Sequence, residues 1–256
     1  MTKQHFITCS VIVLMVIFSA FKIASVKHGH KVKKTAKLRP NISRFIVRES
    51  DAENDYSFAN EALPVNDAAV TRKLQRSLLK HNYRYVQSNI LHNKAAKLFP
   101  ILEPILKAYG IPEDFKYVPL VESGMAEGTS PKGARGLWQF MPGTARTYGL
   151  KVGHGVDERL NVTKSTVAAC KYIRELYVEF NSWTLAAAAY NNGEIKLEKA
   201  ISRQNEDNYF RMSLNRETGW YVYNLIAMKA IISNPRKYGY KDYVNLTTPE
   251  FLAINQ

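Results

Sequence analysis

Glu122 closes a short apolar segment, with Phe115, Val118 and Val121 before it and Ser123-Gly124 immediately after. Pro112 suits the first turn of a helix and Gly124 suits a stop, so the spacing predicts a helix that delivers one carboxylate at its C-terminal end. A carboxylate held among apolar neighbours has its charged form disfavoured. Its pKa rises, and it can carry a proton at neutral pH for a general-acid step. A solitary Glu at a helix end otherwise simply faces water, so the chemistry depends on what the rest of the chain sets around this one.

Two further stretches supply surroundings. Gly136-Leu137-Trp138-Gln139-Phe140-Met141-Pro142, continuing through Thr144-Ala145 and Tyr148-Gly149-Leu150, reads as a polar, glycine-rich wall after the acid. In Ala186 to Gly193, AAAAYNNG, four alanines allow close helix approach, and the Asn191-Asn192-Gly193 turn ends the helix. Tyr190 and Asn191 are thereby expected at a helix end, as Glu122 is.

Taken in order, Glu122-Ser123, Gly136-Leu137-Trp138-Gln139 and Ala189-Tyr190-Asn191 make the chain resemble the lytic transglycosylases of the soluble-lytic-transglycosylase type, relatives of goose-type lysozyme. The resemblance runs from Pro64 to Tyr240 and continues through Asp157-Glu158-Arg159, Ser165-Thr166, Trp183, Glu217-Thr218 and Tyr221. It implies an all-α, lysozyme-like helical domain with at most a small β-hairpin. It also implies cleavage of the glycosidic bond between N-acetylmuramic acid and N-acetylglucosamine in peptidoglycan strands, with no cofactor and no metal.

Ordinary glycosidases need two carboxylates, whereas the resemblance implies one. Glu122 would protonate the leaving oxygen, the substrate's acetamido group would stabilise the cationic centre, and Glu122 would then take a proton from the C6 hydroxyl to give an anhydro sugar. Ser123 and Gln139 would hydrogen-bond sugar or acetamido groups. Gly136, Leu137 and Phe140 would line the cleft wall, and Tyr190 with Asn191 would fix the ring at the scissile bond. Glu217 and Tyr221 would close the cleft. For Trp138 and Phe140 both core packing and sugar stacking stay open. Asn215 and Tyr223 stand where relatives often have prolines. A hydrolytic muramidase and a non-catalytic peptidoglycan-binding scaffold are the alternatives.

The elements that must position these residues read as helices. Val70, Leu74 and Leu78, then Leu98, Ile101, Leu102, Ile105 and Leu106, form apolar faces between Asp67 and Tyr109. Asn161 or Thr163 can cap a helix to about Phe180, Trp183 begins the alanine helix, and further helices are expected at 194–201 and 217–232. The one hairpin expected lies near Thr129 to Trp138.

The expected organisation is a signal peptide or membrane anchor over 1–26, a flexible linker over 27–63, a helical leader over 64–110, the catalytic domain over 111–241 and a tail over 242–256. Phe6 to Phe21 is an unbroken low-polarity run, read as export to the periplasm of a bacterial cell envelope or anchoring at its membrane. The lysines that follow it would favour retention on the cytoplasmic side. The orientation is therefore argued from the catalytic motifs. Cys9 and Cys170 are poorly placed to pair, and no metal-ligand spacing appears.

The formal net charge is +14, and 26 of the 36 basic residues against 17 of the 22 acidic ones leave +9 from Pro64 onward. A basic surface suits nucleic acid or an anionic wall and membrane. No zinc-finger or RNA-binding motif accompanies it, so nucleic acid is not expected as a partner. The oligomeric state is not legible.

Overall fold

The structure, a computed structural model, describes residues 56–86, 88–124 and 128–240. The apolar run, Cys9, the expected linker up to residue 55 and the tail from residue 241 lie outside the described residues. Among the described residues the fold is helical, with two small antiparallel ribbons.

Strands β1 (Ser57–Phe58) and β2 (Glu61–Ala62) make the first ribbon. Helices α1 (Ala68–His81), α2 (Tyr83–Val86) and α3 (Ile90–Ala108) follow. A 3-10 turn, Glu113–Tyr117, runs into α4 (Val118–Glu122), so the helix expected to carry Glu122 is split in two, with Pro112 capping the first part. Next come α5 (Pro142–Thr147), the ribbon of β3 (Val152–Gly153) and β4 (Val156–Asp157), and a 3-10 turn at Glu158–Leu160. Helices α6 (Val162–Phe180), α7 (Trp183–Asn192), α8 (Glu194–Gln204) and α9 (Thr218–Ser233) complete the body, before a last 3-10 turn at Pro235–Tyr238.

Helix starts follow the cap residues. Asp67 Oδ1 accepts from the Ala69 and Val70 amides at 2.7 and 3.3 Å, Asn161 accepts from Lys164 at 2.9 Å, and the Ser182 hydroxyl accepts from Leu185 at 3.3 Å. Each satisfies an amide that the first turn leaves without a helical partner. Of the two caps considered for α6, Asn161 is the one used.

Two helices form the centre. Ala186 to Ala189 on α7 are fully buried, and α7 packs against both α6 and α9. Alanine side chains let these helices meet at close range without voids. Helix α9 is buried nearly all round, through Tyr221, Val222, Tyr223, Leu225, Ile226, Ala227, Met228, Ala230 and Ile231, and α1 lies along it. A helix apolar on every side belongs inside a core. The leader helices are thus part of the body.

Two expectations need correcting. The segment near Thr129 to Trp138 is not a hairpin; it holds only the isolated bridges Thr129–Arg135 and Arg135–Phe140. Its backbone is spent on turns instead, with the Ser130 amide bonded to Ala134 O at 2.7 Å and the Gln139 amide to Gly136 O at 3.1 Å. The linker expectation also reaches too far. Tyr56, Phe58, Ala59 and Leu63 are buried in the core, and the Phe58 ring meets Phe115 edge-on at 5.0 Å.

Polar contacts fix that first ribbon. The Ala59 amide and Lys229 Nζ both reach Asp114 Oδ2 at 2.7 Å, tying the ribbon turn to the segment before α4 and to α9. Glu61 sits across the start of α7. Its carboxylate accepts from the Trp183 amide, from the Thr184 amide at 3.0 Å and hydroxyl at 2.6 Å, and from the Ser182 hydroxyl at 2.9 Å. A negative charge at a helix N-terminus is favoured by the local amides and the helix dipole. The ribbon therefore caps the helix that carries Tyr190 and Asn191.

Candidate active site

Helix α4 is only five residues long, and its buried Val118, Pro119 and Leu120 anchor it in the core. It ends because Gly124 turns at φ 58, which L-residues with a side chain seldom adopt. Glu122 is left at this end, partly buried. Tyr221 of α9 donates its hydroxyl to Glu122 Oε1 at 2.6 Å.

Burial pushes the Glu122 carboxyl up from 4.5 to about 7. The hydrogen bond from Tyr221 works in the opposite direction, because it favours the ionised form, while the nearby charge of Glu217 raises the value further. The result is a carboxyl that holds its proton near neutrality. Tyr190 and Tyr221 are themselves shifted well above the ordinary tyrosine range, first by burial and then by the charge of Glu122, so both remain neutral donors beside it.

The wall facing this end is the loop from 128 to 140. Gly136 has φ 79, and a Cβ there would lie 2.1 Å from the carbonyl oxygen of Arg159. Gln139, with φ 48, is one of the few side-chain-bearing residues in left-handed geometry. Its amide nitrogen donates to Gly136 O at 2.8 Å and Gly128 O at 3.2 Å, which ties the strained turn together. Ser123 donates to Pro119 O at 3.0 Å and Leu137 O at 3.1 Å, joining α4 to the wall.

The side chains of Leu137, Trp138 and Phe140 are buried. Trp138 donates its indole N–H to the Thr166 hydroxyl at 2.9 Å. Core packing, not sugar stacking, is therefore the role of Trp138 and Phe140, and Leu137 likewise turns inward. The wall offers backbone and Gln139 to the cleft.

Arg159 holds the loop from beneath and was visible in the sequence only as part of a motif. It is buried, and its guanidinium pairs with both oxygens of Asp157 at 2.8 Å. It also donates to Gly133 O at 2.9 Å and Phe140 O at 3.0 Å. Arg135 adds a 3.1 Å contact to Asp157. The hydrogen bonds from Arg159 hold the Asp157 carboxyl below its ordinary range. A buried arginine so fully satisfied is a structural clamp.

On the other side, Tyr190 donates to Trp138 O at 2.7 Å, and its ring contacts Trp138, Phe140 and Tyr172. Asn191 donates to Glu217 Oε1 at 3.2 Å and accepts from the Thr218 hydroxyl at 3.0 Å. Asn215 caps α9, accepting from the Thr218 amide at 3.0 Å and donating to Asn192 at 2.9 Å. This position, where relatives often have proline, thus keeps a polar tie between α7 and α9. Tyr223, at the other such position, is buried within α9. The fold brings Glu122, Ser123, Gly136, Gln139, Tyr190, Asn191, Glu217 and Tyr221 into one connected set. The role of Tyr221 as hydrogen-bond partner of Glu122 could not be read from spacing, since 99 positions separate them.

Among the described residues no group of three or more His, Cys, Asp or Glu could hold a metal. Cys170 is buried and unpaired, its thiol pushed up to about 12 by burial, which leaves it unreactive.

Residues 101–212 match the model of the transglycosylase SLT domain. The chain carries that domain. The match takes in Glu122, Gln139, Tyr190 and Asn191, while Glu217 and Tyr221 lie just beyond it. The chain is 33% identical over 186 residues to membrane-bound lytic murein transglycosylase D of Escherichia coli K12, covering 69% of this chain and 39% of that protein. It is 24% identical over 166 residues to membrane-bound lytic murein transglycosylase F of Cronobacter sakazakii, covering 59% and 31%. The SLT-bearing chain therefore spans well under half the length of these curated relatives. A crystal structure of the lytic transglycosylase Slt from Pseudomonas aeruginosa aligns at TM-score 0.41 and 22% identity over 53% of this chain and 23% of that one.

Proposed function

We propose that the chain is a peptidoglycan lytic transglycosylase in which Glu122 is the single general acid and base. The observation that carries this reading is a carboxyl held near pKa 7 at the end of α4, inside an SLT domain and hydrogen-bonded to Tyr221. A proton donor for a glycosidic oxygen works best when its pKa lies near the working pH.

In this reading the protonated Glu122 gives its proton to the bridging oxygen of the MurNAc–GlcNAc bond as that bond breaks. The substrate's acetamido group supports the cationic carbon from within the sugar. The resulting Glu122 carboxylate, now steadied by the Tyr221 hydroxyl, takes the proton of the C6 hydroxyl as its oxygen closes on the anomeric carbon. The proton count balances, no water is consumed, and the acid is restored. Holding the internal hydroxyl close replaces a positioned water and supplies rate through effective concentration. Asn191 and Gln139 orient the sugar, and Glu217 holds Asn191 in place. Ser123, whose proton is committed to two backbone oxygens, supports the wall and can still accept from the ligand.

Residues 56–240 would act as one catalytic unit, with 64–110 as its supporting leader. The apolar run from Phe6 to Phe21 would carry it to the cell envelope, on the periplasmic face, cleaved or as an anchor. The basic balance suits an anionic wall.

Mass spectrometry of purified peptidoglycan digested by the protein tests the reading. Products one water lighter than those of a hydrolytic lysozyme are expected, and Glu122→Gln should lower their rate of formation by about 1,000-fold or more. Hydrated products would make the enzyme a muramidase, and activity near wild type in Glu122→Gln would overturn the assigned acid.

A further inference from the structure

A groove of about 590 Å³ lies between α1 and α9 and shares Glu217 with the site around Glu122. Arg76 and Lys80 line it from α1, Arg216 and Trp220 from the start of α9. All three cations are exposed, and no described carboxylate pairs with any of them. Asn224 lines the floor and is fixed by the Ser77 hydroxyl at 3.1 Å. The groove thus joins unpaired positive charge, an aromatic ring and an oriented amide, and it opens beside the residue that holds Asn191.

Resting on the proposed function, we infer that this groove is a subsite for the carboxylate-bearing peptide stem attached to muramic acid in the strand being cleaved. The stem branches from the sugar through a lactyl group, so it must leave the scissile bond sideways, and a groove that shares Glu217 with the site around Glu122 gives it a path. Its carboxylates match the guanidinium groups of Arg76 and Arg216, which donate planar, two-point N–H contacts that lysine cannot. Trp220 offers apolar area to alanine methyls along the stem, and Asn224 can bond a peptide amide. Because α1 belongs to the leader, this assigns the leader a part in choosing substrate.

The test compares wild-type chain with Arg76→Gln/Arg216→Gln on two substrates, glycan strands with intact stems and strands stripped of them by an amidase. The ratio of kcat/KM for stem-bearing over stripped strands is expected to fall about tenfold, mainly through KM. The exposed pair Lys97→Gln/Lys107→Gln on α3 removes the same charge elsewhere and should leave that ratio in place. An unchanged ratio in the Arg76/Arg216 variant, or an equal fall for the control pair, would overturn the subsite. The same comparison is made by cosedimentation of uncleaved strands with each protein in the Glu122→Gln background. If the wild type cleaves neither substrate, the glycosidase reading fails on its own, and the binding ratio still decides the groove. Loss of affinity for phosphatidylglycerol vesicles relative to phosphatidylcholine vesicles, with the strand ratio unmoved, would give the groove to a lipid surface and reject the peptide.

Discussion

Glu122 and Tyr221 work as a pair whose two influences are opposed. Burial raises the acid, and the phenol's hydrogen bond lowers it. Removing the phenol hydroxyl should therefore raise the Glu122 pKa above about 7. The form that donates the proton then persists to higher pH. In Tyr221→Phe the alkaline limb of the kcat/KM profile should move up by about one pH unit, the size expected for losing one hydrogen bond to a charged group. A limb that stays put or moves down, measured on the same strands across pH 5 to about 9, would show that Tyr221 does not set this acid. The role of Glu122 as acid is proposed from the motifs around it, and what was legible at this scale is its apolar setting, from Phe115, Val118 and Val121. Its partner was not, because no local pattern marks a tyrosine reaching across 99 positions.

The wall loop is an element without regular structure, so it depends on single residues to keep its shape. Gly136 passes within contact of the Arg159 carbonyl, and Arg159 in turn holds Gly133, Phe140 and Asp157. Gly136→Ala places a methyl 2.1 Å from that oxygen in a left-handed turn, so backbone must move. A loss of about 2–4 kcal/mol is expected in chemical denaturation, with activity falling together with it. A variant as stable as wild type would show that the loop can shift freely and that the clamp matters little. The helices around it were readable for plain reasons: Asn161 caps α6, and the alanine run predicts a buried α7. The loop is not the expected hairpin because its backbone closes on its own turns, which Gly133 and Gly136 permit through their positive φ.

For the whole molecule, the unit that folds begins earlier than Pro64. Strands of two residues give no detectable alternation, and Glu61 finds its partners 121 to 123 positions away, so the acidic stretch around them reads as a tether. A chain beginning at Pro64 should be less stable than one beginning at Asp55 by about 4 kcal/mol or more. It loses the burial of Tyr56, Phe58 and Leu63 and the cap on α7. Equal thermal midpoints for the two chains would show the ribbon to be dispensable. The same ribbon has a consequence for the order of events in folding. Tyr56 meets Tyr238 across 182 positions, at 3.4 Å between hydroxyls, and α1 needs α9 to cover its apolar face. The earliest part of the body to be synthesised must wait for nearly the last before either can settle. Contacts this distant in sequence form slowly, since the loop must close before they repay its entropy. A chain arranged in this way cannot lock its first ribbon or cover its first helix until its last helix is available.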